Sequence, residues 1–449
     1  MDVKKIKKDA IEYIIPHWGD YDSLIKEPKI FVKGEGIYLY DIEGRKYFDT
    51  FSSLVTSILG HGNQEIAEVI AAQIKELEFF PNIGDTFTLP LINLANKLAE
   101  IAPGELKVSF FVNSGSEANE TAIKLARQYF WEKGQQTKYK IIARHYSYHG
   151  TTLGAISATG FPYHRRPFEP LLPGFIFAPS ANCFHCEFGL EPTKCNLLCA
   201  KTLEQLIEWE GPGTIAGIIM DPIPGSNSGY PIPPDGYLER VSEMCNKHNI
   251  LLIFDEVQTG IAKTGKWFAC EHWNIVPDIL TIGKAITSAY LPLGVTMTTP
   301  EIYSVFRKPG SEVRCGSTFG GHSASCVAAL KTLEIIERKN LISYANHIGS
   351  YIEKRLREIY EKYPIVGNFR GIGTLWALEL LKDRKTKTPF PPALRVGNRV
   401  RDYCWEKGMI LRNNADILVI APSIIITEEE VEQMLGLMEE AIKMIMKEV

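Results

Sequence analysis

The feature that most constrains the fold is a series of short, almost wholly apolar runs that alternate with helical patterns. The helical pattern SEANETAIKLARQYFWEKG follows the first run, and the runs themselves occupy residues 107–115, 139–144, 215–221, 250–257 and 279–285. Runs that are apolar at nearly every position are typical of parallel strands buried on both faces. The sequence therefore predicts an α/β protein with a large, mostly parallel central sheet.

The length of 449 residues and the hydrophobic content of 45% allow more than one core. We expect a large domain at residues 62–333 and a smaller α/β domain built from both termini, residues 1–61 and 334–449. In the N-terminal segment, IYLYDIEGRKYFDT is typical of a β-hairpin that turns at Glu43-Gly44.

The charge balance and the hydropathy pattern exclude several classes of partner. With 49 basic and 53 acidic side chains the net charge is −4, which gives no electrostatic reason to bind nucleic acid or an anionic membrane. No stretch approaches about 18 uninterrupted apolar residues. The apolar run near the N-terminus contains Glu12 and stops at Pro16. We expect small-molecule partners, no nucleic acid, no membrane span and a cytoplasmic location.

Polar residues at the ends of the apolar runs are the candidates for a site, because ligands of open α/β sheets bind beyond the carboxyl ends of strands. Ser114, Gly115 and Ser116 lie between a strand and a helix, where backbone N–H groups and the helix dipole can hold a phosphate. An ordinary helix cap is the alternative for the two serines. Asp255 ends the most hydrophobic run, where a carboxylate needs a cation or a strong donor. Lys284 ends another run, and desolvation would make it nucleophilic.

A phosphate turn, an acid and a nucleophilic lysine are the three groups that pyridoxal 5′-phosphate requires. Asp255 can pair with the pyridinium nitrogen, which makes the ring an electron sink. Tyr148 could stack on one face of the cofactor, and Gly150 would allow a close approach after His149. Val257 could press on the other face.

A nucleotide site is the competing interpretation of one segment. Residues 260–267 read GIAKTGKW, one residue short of the phosphate-binding pattern G-x-x-x-x-G-K-[ST]. Trp267 stands where a serine or threonine would have to bind Mg²⁺, and no helix-forming pattern follows. The segment therefore does not predict nucleotide binding.

Several motifs, S-G-S-E-A-N-E, Y-H-G, D-E-V-Q-T-G, G-K and G-S-T-F-G-G, follow one another between about residues 34 and 426. In this order they resemble the class III aminotransferases, the omega-aminotransferase group of fold type I pyridoxal-phosphate enzymes. The resemblance implies transfer of an amino group between an amine and a keto acid by a ping-pong reaction. It also implies a homodimer or a higher homo-oligomer with shared active sites.

The resemblance assigns a role to individual residues of this sequence. Those that would bind the cofactor are Ser114, Gly115 and Ser116 at the phosphate, Tyr148, His149, Gly150 and Val257 around the ring, Asp255 at the pyridine nitrogen, and Gln258 at the phenolic oxygen. Lys284 would form the Schiff base and then move the proton. Thr318 would reach the phosphate of the neighbouring subunit's site.

The resemblance also suggests how substrates are held. Arg412 is similar to a family arginine that grips the acceptor's carboxylate, although a surface arginine is the alternative. Relatives that use 2-oxoglutarate commonly carry an arginine soon after the His-Gly pair, where this sequence has Thr151 and Thr152. That difference favours pyruvate as the acceptor and leaves 2-oxoglutarate as the alternative.

The donor side of the site leaves more alternatives. The residues expected to line a pocket for an amine or an omega-amino acid are Phe51, Ser52, Leu54 and Tyr148. A racemase or a decarboxylating relative would use the same cofactor groups, because the choice of bond depends on fine geometry.

A cysteine-rich insert at residues 181–200 lies outside the common family pattern. It places four cysteines in a C-x₂-C-x₈-C-x₃-C array, namely Cys183, Cys186, Cys195 and Cys199, with His185 among them. This spacing suggests a structural zinc or iron–sulfur site, with disulfides or free thiols as alternatives.

Overall fold

The computed structural model describes residues 2–19 and 21–449. Helices of the described residues are α1 (Val3–Tyr13), α2 (Tyr21–Lys26), α3 (Ser52–Val55), α4 (Gln64–Leu77), α5 (Leu89–Ile101), α6 (Gly115–Glu132), α7 (Leu153–Ser157), α8 (Pro162–Arg165), α9 (Pro192–Cys195), α10 (Leu198–Glu210), α11 (Tyr237–His248), α12 (Pro300–Ser304), α13 (Ser323–Arg338), α14 (Leu341–Lys362), α15 (Val396–Glu406) and α16 (Glu428–Ile445). The strands are β1 (Phe31–Glu35), β2 (Tyr38–Asp41), β3 (Lys46–Asp49), β4 (Val108–Val112), β5 (Lys140–Arg144), β6 (Phe175–Ala178), β7 (Ile215–Met220), β8 (Leu251–Asp255), β9 (Ile279–Ile282), β10 (Gly294–Thr298), β11 (Val366–Ile372), β12 (Leu375–Leu380), β13 (Met409–Ile410), β14 (Arg412–Asn414) and β15 (Ile417–Ile420).

The central sheet has the order β4-β10-β9-β8-β7-β5-β6. The strands from β9 to β6 are paired in parallel, and only β10 in this sheet runs antiparallel to its two neighbours. The mostly parallel sheet and its five predicted strands are confirmed, as is the helix that follows the first of them. Strands β6 and β10 were not predicted.

The apolar runs follow from how the sheet is covered. Along β8, Leu252 and Phe254 face one buried cluster, whereas Leu251 and Ile253 face a second cluster that includes α6. Since successive side chains of a strand point to opposite faces, both sets must be apolar when both faces are covered. The carboxyl end of the strand is then the place where a polar residue such as Asp255 can emerge.

The two termini meet in a second region. The hairpin of β2 and β3 is confirmed, with Gly44 at a φ of +81° in its turn, and β3 pairs in parallel with β13. Another sheet has the antiparallel order β11-β12-β15-β14. A separate buried cluster joins Ile37 and Phe48 to residues of the C-terminal part. The boundaries predicted at residues 61 and 333 stay predictions.

Helices that could cross a membrane are absent from the described part of the chain, because none of them is both long and apolar enough.

Candidate active site

A cavity of about 710 Å³ lies where the carboxyl ends of β8 and β9 meet the start of α6 and the edge strand β14. The predicted site residues that it brings together are Leu54, Ser114, Gly115, Ser116, Tyr148, His149, Gly150, Asp255, Val257, Gln258, Lys284 and Arg412. Leu54 and Arg412, which are 358 positions apart in sequence (412 − 54), therefore line the same cavity.

Asp255, the last residue of β8, is buried with 5% of its surface exposed. Its Oδ2 accepts a hydrogen bond from Asn119 Nδ2 at 2.7 Å and lies 2.8 Å from His149 Nδ1. Its Oδ1 accepts from the backbone N–H of Val257 at 3.0 Å. These donors meet the requirement of a buried carboxylate and hold it in one orientation.

Asn119 sets that orientation and was missed at the sequence level. Its Nδ2 also donates to the carbonyl of His149 at 2.7 Å, and its Oδ1 accepts from Thr281 Oγ1 at 2.7 Å. The amide thereby joins α6, β8 and β9. Its position four residues after Gly115, on the same face of α6, is the signal that could have identified it.

The predicted phosphate turn forms the N-terminus of α6. Ser114 is the N-cap, with its Oγ accepting from the N–H of Glu117 at 3.2 Å, so the capping alternative holds for this side chain. Ser116 Oγ accepts from the N–H of Thr151 at 3.1 Å. The backbone N–H groups of Gly115 and Ser116 and the positive end of an 18-residue helix remain available to an anion in the cavity.

Two glycines allow this turn to pack closely. A Cβ on Gly115 would lie 2.6 Å from Val257 Cγ1, and one on Gly150 would lie 2.4 Å from Ser116 Oγ. Gly150 also has a φ of +135°, which side chains rarely adopt. A larger residue at either position would move a wall of the cavity.

Lys284 follows β9 and projects into the cavity. Burial lowers the pKa of Lys284 to about 8, while the Asp255 carboxylate raises it and the Arg412 guanidinium lowers it. A substantial fraction of the amine is therefore neutral near physiological pH, which is the form that attacks a carbonyl group.

Arg412 begins β14 and pairs with no carboxylate among the described residues. Its Nε lacks a hydrogen-bond partner, and among the described residues no carboxylate contributes to its pKa, which burial lowers and the hydroxyls of Tyr230 and Tyr148 raise. Its guanidinium carbon lies 5.3 Å from the centre of the Phe51 ring. A half-buried guanidinium of this kind is suited to an anionic group of a ligand.

Part of the cavity wall was not predicted. It contains Trp18, Phe161, Tyr163 and His164, and the His164 ring lies edge-on to Tyr148 with 5.3 Å between ring centres. Burial, with a smaller effect of Arg412, lowers the pKa of His164, so this imidazole is uncharged at neutral pH. These residues carry no local motif, because they come from segments that meet only through tertiary packing.

Comparisons with known proteins agree with this geometry. Residues 25–442 match the family model for aminotransferase class-III. The aminotransferase YhxA of Bacillus subtilis strain 168, itself uncharacterized, is 40% identical over 91% of this chain and 89% of its own. The taurine–pyruvate aminotransferase of Bilophila wadsworthia strain 3_1_6 is 36% identical over 91% of each chain. A solved structure, an (S)-enantioselective omega-transaminase from Thermomicrobium roseum, superposes with a TM-score of 0.95 at 34% identity and 99% coverage of both chains.

The chain belongs to the class III aminotransferases.

This class III aminotransferase has the fold type I architecture and is a pyridoxal-phosphate-dependent enzyme, as the resemblance implied. The cavity fits that cofactor: a lysine of lowered pKa, a buried carboxylate with an oriented face and a helix N-terminus all line it. The segment read as an incomplete nucleotide site forms turns and then a short 3₁₀ helix, Ala269–Trp273. It does not begin the α-helix that a phosphate-binding loop requires.

Three predicted residues lie outside the cavity wall. Phe51 is buried behind Arg412, where its ring supports the guanidinium instead of contacting the cavity. Thr318 is exposed and does not line the cavity of its own chain. Ser52 is also buried and donates from Oγ to the carbonyl of Ala421 at 2.7 Å.

The metal prediction for the cysteine-rich insert is unsupported. Throughout residues 2–19 and 21–449, no group of three or more His, Cys, Asp or Glu side chains is arranged to hold a metal ion. The four cysteines concerned are free thiols: Cys183, Cys186, Cys195 and Cys199. Burial raises the pKa of Cys183 and raises that of Cys199 to about 11, so both sulfurs are thiols in the metal-free protein.

The insert is held in place by hydrogen bonds instead. His185 Nε2 lies 2.6 Å from Glu379 Oε1, and the other carboxylate oxygen of Glu379 accepts from Arg370 at 2.6 Å. Arg370 also donates to the carbonyl of Ser228 at 3.0 Å. The insert is therefore tied to β12 and to the loop that precedes α11.

Proposed function

We propose that this aminotransferase moves an amino group from an amine, an omega-amino acid or an amino acid to a monocarboxylic 2-keto acid, with pyruvate as the acceptor. The observation that carries the proposal is the single arginine of the cavity, Arg412, which has no carboxylate partner among the described residues. A keto acid needs one guanidinium for each carboxylate that is held by two parallel hydrogen bonds.

Different residues of the cavity bind the cofactor and transfer the proton. Pyridoxal phosphate supplies a ring that accepts the electron pair released when a bond at the substrate's α-carbon breaks. The N-terminus of α6 at Ser114, Gly115 and Ser116 holds the phosphate, and Asp255 keeps the ring nitrogen protonated. Lys284 Nζ would move the proton from the α-carbon of the donor to C4′ of the cofactor, and in the second half-reaction from C4′ to the α-carbon derived from the keto acid.

Other residues of the cavity wall would supply the remaining cofactor contacts. Tyr148 and Val257 both line the cavity, where Tyr148 would stack on one face of the ring and Val257 would support the other. Gln258, whose Oε1 accepts from the N–H of Ser226 at 3.1 Å, would contact the phenolic oxygen with its side-chain amide. His149 acts through Asp255, which it contacts, and Gly150 leaves room for the ring.

Pyruvate is favoured over 2-oxoglutarate because the described cavity offers no second arginine. The position after the His-Gly pair holds Thr151 and Thr152, and Thr152 donates to Glu120 at 2.5 Å. The taurine–pyruvate aminotransferase of Bilophila wadsworthia supports the same acceptor by similarity. The aromatic residues near Tyr148 suit an apolar portion of the amino donor.

A homodimer completes the proposed site. Thr318 is exposed in its own chain, next to Phe319, which has 55% of its surface exposed. Exposed apolar side chains also occur on the segment between α4 and α5, such as Ile83 and Phe87. The two segments adjoin, since the centres of the Phe79 and Phe319 rings lie 5.2 Å apart, and exposed apolar side chains that adjoin are typical of a subunit interface. Thr318 would carry its hydroxyl to the phosphate held by the partner.

The visible absorbance of the holoenzyme tests the function. We expect L-alanine to bleach the visible band and pyruvate to restore it, and 2-oxoglutarate to restore it poorly. A band that 2-oxoglutarate restores as efficiently as pyruvate would overturn the choice of acceptor. Conversion of L-alanine into D-alanine in the absence of any acceptor would indicate a racemase.

The role of Arg412 is tested by Arg412→Met. The KM for pyruvate should rise by about 100-fold, because one charge-assisted bidentate contact contributes roughly 3 kcal/mol. Arg384→Met is the matched control, since Arg384 is half-buried outside the cavity and donates to the carbonyls of Tyr360 and Tyr363. An unchanged KM in the Arg412 variant would contradict the assignment.

A further inference from the structure

One wall of the cavity is a strained segment, residues 52–55. Ser52, Ser53 and Val55 have φ values of 40°, 63° and 60°, in the left-handed region that residues with side chains rarely adopt. Leu54 and Val55 line the cavity from this segment. A backbone of this kind persists only if neighbouring groups hold it.

The two ends of the segment are held by different groups. At the start, Asp49 Oδ2 accepts from the N–H of Ser53 at 2.6 Å and lies 3.1 Å from His61 Nε2. At the end, Lys263 Nζ donates to the carbonyl of Val55. Lys263 belongs to the segment that follows β8, and its side chain reaches residues 52–55 from outside the cavity.

Lys263 is an unusual lysine because only 1% of its surface is exposed. Burial lowers its pKa well below the ordinary value, and the charged group that acts on it is another cation, Lys284. An uncharged amine is then the form that fits the site, with the carbonyl of Val55 as its acceptor. The backbone of Lys263 is itself fixed by hydrogen bonds. The Lys263 carbonyl accepts from the N–H of Thr374 at 2.8 Å and from Thr374 Oγ1 at 3.2 Å.

We propose that Lys263 is a positioning residue for the amino donor: its Nζ holds the carbonyl of Val55 and thereby fixes Leu54 and Val55 against the cavity. The reaction proposed above takes place in this cavity, so the expected effect on the KM of the amino donor rests on the proposed function. The structural consequence, an ordered segment 52–55, is independent of which amine or keto acid is used.

Lys263→Met in the holoenzyme tests the proposal. With pyruvate as acceptor, the KM for 1-phenylethylamine should rise by about tenfold while kcat stays within about twofold, because a buried carbonyl left unpaired loosens the wall without touching the reacting atoms. Lys138→Met is the matched control. Lys138 is a buried lysine whose Nζ donates to the carbonyl of Asn249 at 2.6 Å, outside the cavity, and its loss should leave the KM unchanged.

Hydrogen exchange of the holoenzyme gives a readout that does not depend on turnover. Lys263→Met should accelerate exchange in peptides covering residues 51–57, whereas Lys138→Met should not. Equal exchange in that segment for the two variants would overturn the proposal. If the wild type takes an amino group from neither 1-phenylethylamine nor L-alanine, the proposed function fails, and the exchange comparison still decides whether Lys263 holds the wall.

Two further outcomes are informative. An electrostatic role through Lys284 would appear as a shift in the pH dependence of the visible band with an unchanged KM, and this result would overturn the positioning role. If Lys263→Met does not fold, Lys263→Gln is compared with Lys138→Gln by the same two measurements. Differences confined to the Lys263 variant support the proposal, and equal behaviour contradicts it.

Discussion

At the residue scale, the chemistry of the site depends on two charges that act on one amine in opposite directions. Asp255 raises the pKa of Lys284 and Arg412 lowers it, while burial has the largest effect and brings it to about 8. Both charged groups are also the ones proposed to hold ligands. The protonation of Lys284 is therefore coupled to what occupies the cavity.

This coupling predicts a pH dependence of cofactor capture. The cofactor-free protein should combine with pyridoxal phosphate at a rate that rises with pH through a midpoint of about 8, because only the neutral amine attacks the aldehyde. Arg412→Met should move the midpoint up, since a cation that disfavours protonation is removed. Asp255→Asn should move it down. Stopped-flow absorbance at a series of pH values measures all three, and a wild-type midpoint near the ordinary lysine pKa would contradict the prediction.

Several residues that the sequence predicted for the site do line one cavity, among them Asp255, Lys284 and Arg412. Asp255 ends β8, Lys284 lies two residues after β9 and Arg412 begins β14, so three strand ends bring them together. Phe51 was expected on the wall, but it lies one layer of side chains behind it and supports Arg412. No local sequence pattern distinguishes these two positions. Their functional roles stay predictions.

At the scale of the elements, hydrophobic continuity was sufficient to identify five strands of the central sheet. β7, β8 and β9 are buried at every position, so each reads as an unbroken apolar run. β10 escaped prediction because its sequence, GVTMT, contains two threonines that bond inward: Thr296 Oγ1 donates to the carbonyl of Ala118 at 2.8 Å. Polar side chains satisfied by backbone carbonyls conceal a buried strand from a hydropathy argument.

The contact between α6 and β8 predicts the effect of one added methyl group. Gly115→Ala would bring a Cβ to 2.6 Å from Val257 Cγ1, and the β-branched valine has few rotamers with which to retreat. We expect the affinity for pyridoxal phosphate to fall by about tenfold, the usual cost of overpacking. Titration of the cofactor-free protein by absorbance measures this affinity.

The control for that variant is Gly436→Ala, in the middle of α16. Its Cβ would meet no atom within 4 Å, so the cofactor affinity should stay constant while thermal stability increases, by up to about 1 kcal/mol from helix propensity. An unchanged affinity in Gly115→Ala would show that the helix start and Val257 tolerate displacement.

At the scale of the whole molecule, one helix belongs to two cores. Leu341 and Ala345 of α14 pack in the cluster around the central sheet, whereas Ile348 and Ile352 pack in the cluster that contains Phe48. Arg412, on the antiparallel sheet, and Lys284, just after strand β9 of the central sheet, thus line one cavity between two joined cores. The geometry of the site depends on this packing, which no single segment of the sequence specifies.

The last prediction concerns two copies of the chain. If Thr318 completes the partner's phosphate site, Thr318→Glu should abolish cofactor binding in the homodimer by like-charge repulsion. Mixing it with Lys284→Ala by co-expression should restore about a quarter of the wild-type activity, because half of the dimers are mixed and each has one intact site of two. Mixing Lys284→Ala with Lys284→Met, the control, should restore none. Co-expression without recovery would mean that Thr318 does not act across subunits, because a site formed within one chain cannot be repaired by a copy that lacks Lys284.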